Sequence, residues 1–148
     1  MTKKGILFIS LLACMISIPM AMNAQCKQFA KNTCKAGLEP YQHDGNYHAA
    51  LLIEGEEAEL YKTFYSDREY RIGVCGAHNL EAIEFKVLDT RDGKVLYDNS
   101  LHDYDWKWDF NLESSQQLKI MVKVPVPDAN LDEPQEGCVA IMFGSRND

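Results

Sequence analysis

From Tyr47 onward the chain alternates apolar and polar residues in short blocks, and few folds accept that pattern. Tyr70, Ile72 and Val74 alternate with Arg71 and Gly73. Trp106, Trp108, Phe110 and Leu112 stand against Lys107, Asp109 and Asn111, and Leu118, Ile120, Val122 and Val124 against Lys119 and Lys123. A period of two sends successive side chains to opposite faces of an extended strand, so each block reads as a strand with one buried face. Strands are predicted over 47–54, 57–65, 69–76, 83–90, 94–99, 106–112, 117–124 and 138–144. Arg91-Asp92-Gly93 marks a tight hairpin, because glycine accepts positive φ without strain. No helical pattern of about ten residues alternates with these blocks, which argues against an α/β fold. The expected fold is an all-β, antiparallel, jelly-roll-like β-sandwich of about eight strands with one short N-terminal helical turn.

The first 24 residues read as a secretory signal peptide. Lys3 and Lys4 form a basic start, an apolar stretch runs from Ile6 to Ile18, and small residues follow Pro19 up to Ala24. Cleavage after Ala24 would leave Gln25 first, with a single domain over 25–148. The apolar stretch is shorter than the ~20 residues a spanning helix needs, so no membrane span is expected. A second reading is a lipobox, Leu11-Leu12-Ala13-Cys14, with Cys14 acylated. The residues after Cys14 stay mostly apolar, which favours ordinary cleavage and a secreted or periplasmic protein.

Beyond the leader the chain keeps Cys26, Cys34, Cys75 and Cys138, an even number that suits two disulfides in an oxidising compartment. The spacing favours Cys26 with Cys34 and Cys75 with Cys138. A helix over 27–33 would defeat the first pair, placing the two cysteines ~12 Å apart along its axis. Without Lys3 and Lys4 there remain 13 basic against 22 acidic residues, a net charge of −9. That charge argues against nucleic acid and anionic membrane surfaces as partners.

The segments GEEAELYKTFY, EYRIGVCG and IEFKVLDTRDGKVLYDN, followed by WDFNLESSQQLKIMVKV, resemble a small sandwich of the pre-peptidase C-terminal type. The whole chain also resembles small exported β-sandwich proteins of Gram-negative bacteria, in its Cys…FAK…Cys start and its late GCVAI strand. These resemblances imply a fold and no catalytic residue.

Three constellations carry chemistry. Asp128, Asn130 and Asp132 have the oxygen spacing of a calcium loop, but Glu133 stands where an EF-hand needs glycine and Val139 where it needs glutamate. Calcium is thus the one cofactor the sequence raises, against a solvated acidic loop. Asp103, Asp105 and Asp109 are close in sequence, but glycosidase chemistry needs two carboxylates held across a cleft. Tyr104 and Trp106 form the candidate ligand-binding pair, with Trp106, nearest the strand end, the more exposed of the two tryptophans. Large aromatic side chains otherwise belong to cores.

No G-x-S-x-G occurs, His43, His48, His78 and His102 lack metal-ligand spacing, and Cys75 near His78 is expected to be bridged. The reading is a non-enzymatic exported binding module for a glycan or a protein. A calcium-dependent module and a small hydrolase are the alternatives. An exposed aromatic patch would separate a binding role from a purely structural one.

Overall fold

The computed structural model describes residues 18–128 and 133–147. It is an all-β sandwich of two antiparallel sheets. The strands are β1 (Gln42–His43), β2 (His48–Ile53), β3 (Glu57–Phe64), β4 (Glu69–Gly76), β5 (Glu84–Asp89), β6 (Val95–Asp98), β7 (Lys107–Phe110), β8 (Gln116–Lys123) and β9 (Glu136–Arg146). In the first sheet the long β9 pairs with β1 and β2 on one side and with β4 on the other, and β7 closes the far edge. The second sheet runs β3-β8-β5-β6. The expected hairpin forms between β5 and β6, with Gly93 at φ +72°.

The alternating residues meet between the sheets. Phe64, Ile72, Phe85, Val87, Leu118, Ile120 and Phe143 are buried there, with Trp108 and Phe110 packed against them. Phe110 stacks on Trp108 at 4.3 Å between ring centroids, and Trp108 on Tyr97 of the opposite sheet at 5.2 Å, so rings span both layers.

The first sheet is also covered on its outer face. Helix α1 (Ile18–Phe29) continues through a π-turn (Ala30–Cys34) and a 3₁₀ turn (Lys35–Leu38). This is longer than the short turn read from the sequence. Ala30, Cys34 and Leu38 pack with Ala140 and Met142 of β9 as a second buried cluster. Small residues permit the approach: a Cβ on Gly144 would lie 2.7 Å from Cβ of Tyr41. Arg71 and Gly73, expected to face outward, do so but are buried beneath this cover.

The helical segment overturns the expected disulfide connectivity. Cys26 bonds Cys138, and Cys34 bonds Cys75. Helical residues from Cys26 to Cys34 hold those two thiols apart along the segment, while β4 and β9 present Cys75 and Cys138 beneath it.

Arg71 secures the same junction electrostatically. It donates from Nε and Nη2 to the two Asp109 oxygens at 2.6 Å each, and from Nη1 to the Glu39 carbonyl at 2.8 Å. These hydrogen bonds hold the Asp109 carboxyl below its ordinary range.

Non-reducing peptide mapping should recover Cys26 joined to Cys138 and Cys34 joined to Cys75. The Cys34→Ser, Cys75→Ser double variant should lose about 3 kcal/mol in denaturant unfolding. At the hairpin, hydrogen bonds from the Arg91 side chain and backbone N–H bring the Asp89 carboxyl down to about 2. A carboxyl lowered on folding stabilises the native state above its unfolded value, near 3.8, and loses that contribution as pH falls toward 2. Thermal melts across this window should therefore show a smaller acid loss for Asp89→Asn than for the native chain.

Candidate functional site

Three segments and the end of β4 surround a groove at the end of the sandwich where β5 and β7 begin. The helical segment supplies Thr33, Cys34 and Gly37, and the β4–β5 connection supplies His78, Leu80 and Glu81. The loop into β7 supplies Tyr104 and Trp106. This hollow has a volume of about 410 Å³. A second hollow of about 620 Å³ lies beside it against Pro125, Val126, Pro127 and Asp128, and both share Glu81, Ala82 and Tyr104.

The loop carrying the aromatics is built around Asn99, which is fully buried. Its side-chain oxygen accepts from the Phe85 N–H at 2.8 Å, and its amide nitrogen donates to the carbonyls of Ile83 and Asp105. Its own carbonyl accepts from the N–H groups of His102 and Tyr104, both at 2.9 Å. One residue thus ties the start of β5 to the loop entering β7. His102 stacks on Tyr97 at 4.9 Å and fixes the loop's other side.

Asp103 and Tyr104 pass through left-handed backbone, at φ 53° and 56°. A bulky side chain rarely adopts this region, which costs about 1–2 kcal/mol per residue. Such strain persists where surrounding contacts enforce it, and it clusters at binding and catalytic sites. Here the result is a tyrosine 44% exposed at the junction of the two hollows.

Strict alternation places Trp106 on the same face as Trp108. The structure separates them. Trp108 lies in the core between the sheets, whereas the Trp106 indole turns onto the outer face and abuts Gly37 and Gly73. A Cβ at Gly37 would come 2.5 Å from the indole, and one at Gly73 2.8 Å. Trp106 follows the left-handed turn and stands one residue before the ladder pair of Lys107 with Gly73; its carbonyl accepts from the Val74 N–H at 2.7 Å while its indole turns outward. Trp106 is 38% exposed and forms one wall of the groove.

The other predicted residues scatter. Asp128 is exposed on the rim of the second hollow, while Asn130 and Asp132 lie outside the described residues. Among the described residues no group of three or more His, Cys, Asp or Glu is placed to hold a metal ion. Asp109 turns to Arg71 on the outer face, and an Asp105 oxygen accepts from the Lys107 N–H. Cys75 is bridged to Cys34 and lines the groove as a disulfide, beside His78.

Sequence reading missed Asn99, Glu81 and the wall built by the helical segment. The available signal was Gly73, a glycine inside an alternating strand, which marks a close approach by another group.

No protein family matches the chain by sequence, and no curated protein does so. The structure is similar to the crystal structure of Aeromonas hydrophila PliG, described as a periplasmic lysozyme inhibitor of g-type lysozyme. The TM-score is 0.50 at 12% identity, over 73% of this chain and 90% of that one. At this identity the likeness is one of fold.

If the left-handed turn stores strain, Tyr104→Gly should raise stability by up to about 1 kcal/mol, where glycine in an unstrained loop would lower it. Thermal unfolding of this variant beside Tyr65→Gly, another exposed tyrosine, tests this. A lower midpoint for Tyr104→Gly would show that the turn is unstrained.

Proposed function

We propose that the chain is a non-enzymatic binding module working outside the cytoplasm, with a protein as its ligand. The observation that carries this reading is the concentration of exposed apolar surface. Eight large hydrophobic side chains are exposed among the described residues, and three of them, Tyr104, Trp106 and Val126, line the two adjoining hollows. Large exposed rings beside a preformed groove are what protein-binding hot spots use, because they bury much area with little loss of side-chain freedom.

The non-enzymatic part of the reading rests on the groove lining. Its cysteines are joined in a disulfide, so neither is a free thiolate, and among the described residues Thr33 and Tyr104 are the hydroxyl side chains of the hollow that carries that disulfide. The extracytoplasmic setting is supported by the two disulfides and by the leader read in the sequence. The fold neighbour adds a partner class, since it is described as a periplasmic inhibitor of g-type lysozyme.

The test is peptidoglycan hydrolysis by a g-type lysozyme titrated with the purified chain, with and without chelator. The expected result is saturating inhibition at one-to-one stoichiometry, insensitive to chelator and weakened at least tenfold by Trp106→Ala, as for a central aromatic anchor. Binding of chito-oligosaccharides, with lysozyme left untouched, would replace the protein ligand by a glycan. Chelator-sensitive binding would instead bring the calcium loop at Asp128 into the site.

A further inference from the structure

The protein holds several of its own cations in one recurring arrangement. Lys119 Nζ lies 2.6 Å from a Glu59 oxygen and 5.7 Å from the centre of the Tyr61 ring. Arg71 is bidentate on Asp109 and lies 4.6 Å from the Tyr41 ring, and Arg146 pairs with Glu69 and lies 4.9 Å from that same ring. In each case a carboxylate and the negative face of a tyrosine ring share one cation.

The groove carries the same two kinds of group: Tyr104 and Glu81 both border each hollow. Among the described residues the hollows are lined by Glu81, Glu84 and Asp128 and by no lysine or arginine. Glu84 stands opposite Lys123 across the β5–β8 ladder. Glu81 and Asp128 make no ion pair among the described residues. The strained backbone at Tyr104 holds the ring where the two hollows meet.

We infer that the groove receives a lysine or arginine side chain from a basic segment of a protein partner, seated between the Tyr104 ring and the Glu81 carboxylate. The aliphatic stem of such a side chain lies along the Trp106 wall while its charged head reaches the acidic rim. The groove is thereby selective against acidic segments, which would bring carboxylates against Glu81 and Asp128. This inference rests on the reading of the groove as a protein-binding surface.

The experiment follows backbone amide and indole N–H signals of the full isotopically labelled chain during titration with tetralysine, and separately with the same peptide acetylated on every side chain. Tetralysine should shift Glu81, Tyr104 and the Trp106 indole. Glu81→Gln and Tyr104→Leu should each weaken it by about fivefold, the effect of one ion pair or one cation–π contact. Glu113→Gln removes the same charge from the β7–β8 loop and should change nothing. Signal dispersion in each variant reports that the fold is intact.

Equal binding of the acetylated peptide would overturn the cation while leaving the groove a protein-binding surface. Equal weakening by Glu113→Gln and Glu81→Gln would reduce the effect to net charge and overturn the inference. If neither peptide shifts the groove and lysozyme inhibition is indifferent to Trp106, both readings fall together.

Discussion

The Cys34–Cys75 bridge holds the helical segment on the outer face of the first sheet, and the rest of the site depends on that attachment. A helical segment of this length is marginal by itself in water, so its order comes from what it packs on. The sheet beneath offers small side chains, Ala140, Gly73 and Gly144, together with Met142. Such a surface gives close approach but little interlocking. The covalent links at Cys34 and Cys26 and the four-way contact of Arg71 supply the register that packing alone leaves loose. Since Thr33, Cys34 and Gly37 form one wall of the groove, the groove exists only while the segment is held down.

The opposite wall has a different origin. Asn99 replaces a stretch of regular ladder with hydrogen bonds to five residues, and it does so from a site without solvent access. A buried amide in that role is favourable only when its donors and acceptor are satisfied, and both are. The bonds it makes to His102 and Tyr104 offset the left-handed backbone between them. One wall is thus fixed by sulfur chemistry and the other by a buried amide. A groove with both walls fixed loses little freedom on binding, which favours affinity.

Much of the sandwich was legible because alternation is a local signal. β4, β5, β7 and β8 each carry it over several residues, and Asp92-Gly93 marks the hairpin without any tertiary information. The outer cover was not legible for a related reason. Alternation assigns Arg71 to the face away from the core but cannot tell whether that face meets water or another layer. The segment that covers it, QCKQFAKNTCKA, is polar in composition and buries only Cys26, Ala30 and Cys34. The disulfide pairing failed with it, because the expected connectivity treated residues 27–33 as a short closed loop. Tyr104 and Trp106 are the candidate ligand-binding pair in the sequence, Trp106 by its place near a strand end, and both line the groove. What brings them to one groove is a left-handed turn at residues that seldom adopt it, together with the seat of Trp106 on two glycines, contacts made across 30 or more residues of chain.

The distribution of charge follows from the same architecture. On the broad outer face of the second sheet, cross-strand neighbours neutralise one another: Lys119 meets Glu59, Lys123 meets Glu57, and Lys86 meets Asp98. Regular register makes such pairing easy, because opposite side chains stand close enough to interact directly. Loops have no such register: Asp44 finds Lys62 and Asp67 finds Arg68, whereas Glu81 and Asp128 make no ion pair among the described residues. The net charge of −7 is therefore not spread evenly over the surface, and part of it, at Glu81 and Asp128, gathers at the end of the sandwich where the groove opens. Charge focused at the mouth of an apolar cleft acts on a partner before contact, by orienting its basic surface toward the rings that will bury it. The register that pairs charges along the strands thus leaves Glu81 and Asp128 out of the ion pairs among the described residues, at the end of the sandwich where the groove opens.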